Sequence, residues 1–193
     1  MRIFLAGASG VIGRRIVPLL VADGHEVAGM TRSELNVELL RALGAQPVVC
    51  DVFDAAAVKA ALLGFDPELV MHQLTDLPDD ASQIRDRPGV NARIRREGTR
   101  NLLDAATVAG APRFIAQSVA WALNGDGGAA VAEMEQMVLG AGGVILRYGQ
   151  FYGPGTYHPS EPPRPPRVHI DDAAARTVEA LDVQTGILTI AED

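Results

Sequence analysis

The sequence predicts an α/β fold: a doubly wound parallel sheet of about seven strands with helices on both faces, in a single domain. Seven short apolar runs rich in branched residues (RIFLA, EVAGM, QPVVC, ELVMHQ, RFIAQ, GVILR and GILTI) alternate with longer stretches of helical spacing. Alternation of this kind joins parallel strands by crossover helices that cover the sheet. The length of 193 residues allows one sizeable core and is too short for two large domains.

The elements follow in order. RIFLA begins at Arg2 and leads into a glycine turn and a helix over 11–23; EVAGM begins at Glu26 and precedes a helix over 33–43; QPVVC begins at Gln46 and precedes one over 54–63. ELVMHQ, from Glu68, precedes a long helix over 89–109. RFIAQ, from Arg113, precedes one over 130–139, and GVILR, from Gly143, is separated from GILTI by a loop and a helix over 172–181. Gly24 and Gly44 stand where helices end in a left-handed residue, and Ser33 and Asp54 stand where side-chain oxygens cap free N–H groups. Between Pro154 and Pro166 lie six of the chain's 12 prolines, so this stretch is an extended loop, because proline lacks the N–H a helix or central strand needs.

Composition excludes several function classes. Hydrophobic residues make up 48% and charged residues 21%, which fits neither disorder nor a fibrous repeat. A net charge of −7 argues against nucleic-acid phosphates as partners. Cys50 is alone, so no intrachain disulfide forms; it reads as a packing residue, and no Cys/His cluster has metal spacing. No run has a signal-peptide core or spans a membrane, so the expectation is a cytoplasmic protein with a small-molecule substrate.

In GASGVIG, Gly7, Gly10 and Gly13 follow a buried strand pattern and open an amphipathic helix. In the Rossmann arrangement the first glycine makes the turn, the second lets backbone approach a pyrophosphate, and the third lets helix and sheet pack. Ser9, Val11 and Ile12 complete the turn, and the helix N-terminus offers N–H groups to an anion. The end of the second strand reads GMTRSE. Arg32 stands 19 positions after Gly13, where an acidic residue would hold a ribose 2′-hydroxyl. Arg32, with Thr31 and Ser33, therefore points to NADP (NADPH); the alternative leaves Arg32 in solvent. Arg14 and Arg15 either assist or are solvated.

At this point the chain resembles the extended and atypical short-chain dehydrogenase/reductase superfamily, of the NAD(P)-dependent epimerase/dehydratase type. The likeness rests on GASGVIG, CDVFDAAAV, VMHQL, NARIRREGTRNLLDAA, RFIAQS, LRYGQFYGPG and VHIDDAA, in family order. It implies that Asp51 and Val52 meet adenine, and that His72, Gln73 and Leu74 meet the ribose and pyrophosphate. Asn91 would lie near the site, Gln117 and Ser118 beside the nicotinamide, and Tyr152, Gly153 and Pro154 in a covering loop. For His72 and Asn91 a purely structural role stands as the alternative. His169 reads as structural, beside Asp171 or Asp172 capping the last helix. The family's dimers through the fourth and fifth helices imply a homodimer, although the fifth helix reads as short here.

The chain also departs from the family. Its tyrosine and lysine, three residues apart, fall on Gly127 and Val131 when Glu135 is taken as the acid that follows; no Tyr-x-x-x-Lys occurs anywhere. Ser118 remains as the catalytic hydroxyl, with Val119 the other register, and Tyr152 ahead of Tyr148 as a helper. The substrate region is reduced to a loop over 153–168, walled by Arg164 and Arg167. The arginines 93, 95, 96 and 100 read as a solvated face, with an interface or an anion site as alternatives. The leading functional expectation is an NADP-dependent oxidoreductase. A non-catalytic NADP(H) sensor and a non-redox dehydratase, epimerase or cyclase are the others.

Overall fold

The computed structural model describes residues 1–78 and 89–192. All seven expected strands form one parallel sheet: β1 (Arg2–Ala6), β2 (Glu26–Thr31), β3 (Gln46–Val49), β4 (Leu69–His72), β5 (Arg113–Val119), β6 (Val144–Tyr148) and, last in sequence, β9 (Gly186–Ile190). Their spatial order is β3-β2-β1-β4-β5-β6-β9. The order reverses between β1 and β4, and the crevice beyond the carboxyl ends of those strands is where such sheets bind ligands.

Helices cover both faces. On one side α1 (Gly13–Ala22) and α7 (Ile170–Glu179) bury Ile16, Val17, Leu20, Ile170, Ala173 and Ala174 against Ile3, Leu5 and Leu69. On the other, α3 (Ala55–Phe65), α5 (Thr99–Ala109) and α6 (Gly125–Gly140) bury Val58, Leu62, Leu102, Met134 and Val138 against Phe4, Val70 and Ile145. Strands packed on both faces are apolar along their length, which explains why β4 is buried at every residue.

Punctuation falls as the residues dictate. Gly24 and Gly44 have φ of 79° and 91°, and Asp54 Oδ1 accepts from the Ala57 N–H. Ser33 caps as expected, accepting from the Leu35 N–H, yet the helix it starts opens as a 3₁₀ turn (Glu34–Asn36) before α2 (Val37–Ala42). The long helix is interrupted: α4 (Val90–Arg93) passes through a π turn (Ile94–Gly98) into α5. The last helix is capped by His169, whose Nδ1 accepts from the Asp171 N–H, rather than by Asp171 or Asp172.

Two differences from the sequence expectation matter for the site. The fifth helix is not short: α6 has 16 residues and starts inside a run of glycines. A second parallel sheet pairs β7 (Gln150–Tyr152) with β8 (Arg167–His169), holding the ends of the proline-rich loop together. No helix among the described residues is long and apolar enough to cross a membrane.

Candidate functional site

The glycine turn leaves β1 at Gly7, whose φ is 93°. A Cβ there would lie 2.7 Å from the Gln73 carbonyl, and one on Gly13 would lie 2.2 Å from the Gly7 oxygen. These two glycines bring the turn against the ends of β4 and α1. Gly10 differs: a Cβ there would meet only the Gly7 oxygen, at 3.2 Å, and otherwise open space. The N–H groups of Val11, Ile12 and Gly13 have no acceptor among the described residues, while Arg14 and Ile16 already bond to Gly10 and Ile12. Free N–H groups at a helix N-terminus, facing a position kept clear of side chain, fit the pyrophosphate of a dinucleotide. Arg14 Nε donates to the Ser9 carbonyl and stiffens the turn.

Two hydroxyls tie this turn to the end of β2. Ser9 Oγ bonds Thr31 Oγ1 at 3.0 Å, and Thr31 Oγ1 also accepts from the Ser33 N–H and Asn36 Nδ2. Thr31 is buried and Ser33 is occupied as a cap, so these hydroxyls shape the turn rather than stand free for a ligand. Arg32 is 68% exposed and pairs with Asp76 at 3.0 Å. Because β1 lies between β2 and β4, this ion pair passes over the carboxyl end of β1.

The residues after β4 are committed to structure. His72 is buried; its Nδ1 accepts from the Leu74 N–H, and its Nε2 bonds Thr99 Oγ1 at 3.0 Å. Burial, helped by the Arg95 charge, lowers its pKa to about 4, so it is neutral and fixed. The Leu74 N–H is thereby engaged within the chain. Gln73 bonds the Tyr148 hydroxyl and is buried, with Oε1 unpartnered. Asn91 Oδ1 accepts from the Asp76 N–H, which makes it the brace of the loop after β4. At the adenine end, the Asp51 carboxylate accepts from the Phe53 N–H, and Val52 is buried with its carbonyl on Asn101.

On β5, alternation places Ile115 and Gln117 on one face and Ala116 and Ser118 on the other. Gln117 is half-buried. Ser118 is buried and donates to Glu135 Oε1 at 2.6 Å, and Arg147 grips the same carboxylate through Nε at 2.9 Å and Nη2 at 2.6 Å. Burial alone would raise the Glu135 pKa, but these bonds hold it below the usual carboxylate value. Ser118, expected from the sequence as the catalytic hydroxyl, thus donates to a carboxylate that Arg147 also holds.

The tyrosine candidates are held elsewhere. Tyr148 is buried with its hydroxyl on Thr177, and burial pushes its pKa up. Tyr152 donates to Glu192 at 2.9 Å and packs edge-on to His169, and the bond to Glu192 raises its pKa. The phenol expected from the sequence to help the reaction is thus engaged by a carboxylate. The Gly153–Pro154 loop is tied to α1. Arg15 Nη2 donates to the Pro154 carbonyl, and the Tyr157 hydroxyl donates to the Pro78 carbonyl from the far side.

A family described as NAD(P)H-binding matches residues 7–141. The chain belongs to the short-chain dehydrogenase/reductase superfamily. Over its whole length it is similar, at 35% identity across 76% of the relative, to a 3-diazoavenalumate denitrifying reductase of a Streptomyces species. That alignment spans 241 positions, so the relative carries insertions that this chain lacks. Among solved structures it resembles the UDP-glucose 4-epimerase of Thermotoga maritima with UDP-glucose (TM-score 0.81, 19% identity, 99% of this chain and 77% of that one). It also resembles the NAD complex of the Thermus thermophilus UDP-glucose 4-epimerase (TM-score 0.77, 22% identity, 99% and 78%). At such identities these two show the fold. The family match and the 35% identical reductase are those of a nicotinamide-dependent oxidoreductase or epimerase-like enzyme.

On α6 the positions that the sequence assigns to the family's tyrosine and lysine, Gly127 and Val131, carry no proton donor. Gly127, Val131 and Glu135 recur every four residues along α6, with Glu135 facing β5. A Cβ on Gly127 would meet nothing within 4 Å.

Proposed function

We propose that the chain is an NADPH-dependent reductase of a small organic molecule whose hydride acceptor needs no proton from the protein. The observation that carries this reading is α6: the helix is formed and anchored by Glu135, yet open space stands where the family's tyrosine would be. When bound, the reduced nicotinamide supplies a hydride. The residues of this chain do the rest. The Val11, Ile12 and Gly13 N–H groups hold the pyrophosphate, Arg32 meets a 2′-phosphate, and the Gly153–Pro154 loop excludes water.

A carbonyl becomes an alkoxide as it is reduced and needs a nearby acid. An electron-poor nitrogen group that departs as dinitrogen needs none, and the 35% identical relative is named as a denitrifying reductase of a diazo compound. Diazo compounds are accordingly the first substrate class to examine. The test is NADPH oxidation by purified protein with 4-carboxybenzenediazonium against 4-carboxybenzaldehyde. Oxidation with the first alone, with one benzoate formed per NADPH, supports the reading. Turnover of the aldehyde alone, or of neither, overturns it. The same protein binding NADH as tightly as NADPH would overturn the assignment to Arg32.

A further inference from the structure

Arg95 lies in the π turn Ile94–Gly98, and only 9% of its surface is exposed. A guanidinium carries five donors and a permanent charge, so burying one without partners is costly. Among the described residues Arg95 has no hydrogen bond and no ion pair. Arg93 holds Glu97, Arg96 holds Asp126 and Glu133, and Arg147 holds Glu135. Of Arg93, Arg95 and Arg96, Arg95 alone holds no carboxylate among the described residues.

Its location is defined by its neighbours. The π turn that carries Arg95 packs against α6, and the Arg95 charge reaches His72, at the carboxyl end of β4, and Glu135, on α6. Two turns before Glu135 on the same face of that helix is Gly127, with open space in front of it. A π turn is an irregularity frequent at functional sites, because the extra residue re-aims side chains out of the regular helical register. Burial also separates Arg95 from Arg93 and Arg96, which lie on the helix surface among acids.

We propose that Arg95 anchors a carboxylate of the substrate in the nicotinamide half of the cleft. Resting on the reductase reading above, this assigns the substrate class as a small organic acid. Arg suits the task because its planar fork matches a carboxylate with two parallel bonds.

The test is calorimetric titration of benzoate, and of neutral benzamide, into the full chain with and without saturating NADP+, in wild type, Arg95→Gln and Arg95→Lys. Expected are saturable benzoate binding unaffected by NADP+, no benzamide binding, a loss of about tenfold or more in Arg95→Gln, and partial recovery in Arg95→Lys. NADPH affinity stays unchanged in both variants. Benzoate binding no better than benzamide, or a benzoate preference that survives in Arg95→Gln, overturns the proposal. Displacement of benzoate by NADP+ would assign the anion to a cofactor phosphate and also overturn it. Should a variant fail to fold, the Nε–H resonance of Arg95 in wild-type protein decides: it shifts with benzoate, or the anchor is wrong. Loss of NADPH binding with benzoate binding intact would sink the reductase reading and leave the anchor standing.

Discussion

Gly10 and Gly13 stand three residues apart in one turn and separate binding from packing. In Gly13→Ala the new methyl carbon would lie 2.2 Å from the Gly7 oxygen and 2.8 Å from Ala8 backbone atoms. Backbone cannot swing away as a side chain does, so α1 must retreat from the turn. Overpacking costs about 1–3 kcal/mol, against roughly 1 kcal/mol that alanine gains over glycine in a helix. At the upper end the net loss is about 2 kcal/mol, and in a chain of this size each kcal/mol lowers the midpoint by about 2–4 °C. Gly13→Ala is thus expected to melt about 4–8 °C lower. In Gly10→Ala the methyl touches only the Gly7 oxygen, at 3.2 Å, so stability changes by about 0.5 kcal/mol or less. That methyl occupies the clear space before the free N–H groups, and the NADPH dissociation constant should rise at least about tenfold, or roughly 1.4 kcal/mol. Thermal melts followed by circular dichroism and NADPH fluorescence titrations measure both. If Gly10→Ala melts early and binds normally while Gly13→Ala does the reverse, the roles given to these glycines are wrong.

Three further outcomes follow from the site. Asp76→Asn releases Arg32 from an exposed ion pair worth about 0–1 kcal/mol, so NADPH should bind up to about fivefold tighter with NADH unchanged; equal changes for both would remove Arg32 from the 2′-phosphate. His72 has a pKa of about 4 in the folded chain against 6.5 ordinarily, so above pH 6.5 neither state protonates it. Between pH 6.5 and about 4 the unfolded chain alone takes up the proton, and stability falls by about 3 kcal/mol. Urea melts of wild type and His72→Gln across this range should differ by that step, and parallel curves would refute it. Ser118→Ala removes one bond to a buried carboxylate and should cost about 1.5–3 kcal/mol of stability while NADPH oxidation stays within about twofold. A variant that melts normally and has lost turnover would restore Ser118 as a catalytic residue.

The sheet was legible because each of its strands is an apolar run of branched residues, and the glycine turn because Gly7 and Gly13 answer to steric needs that the fold imposes. The small β7–β8 sheet was not legible, since strands of three residues flanked by Gly149, Gly153 and Pro166 carry too little period to read. The first turn of α6 was hidden by Gly125, Gly127 and Gly128, which are poor helix formers. Side-chain commitments were the least visible. Nothing in RFIAQS says that Ser118 will find Glu135 on the helix packed over it, or that Thr31 and Leu74 will spend their polar groups locally. Arg95 could not be distinguished from Arg93 and Arg96 because the π turn, which no simple repeat announces, is what separates a buried arginine from its exposed neighbours.

One arginine joins three parts of the molecule that the sequence keeps far apart. Arg15 donates to the Val11 carbonyl in the phosphate turn, to the Pro154 carbonyl in the closing loop, and to Asp171 in the first turn of α7. Each of its donors has a different partner, so the closing loop does not hang free beside the cleft but is latched to the backbone that faces the pyrophosphate. A displacement of that turn would therefore be carried through a single planar group to the loop and to α7. A lysine at this position would keep the charge and break the latch, leaving a cleft that still fills but no longer shuts.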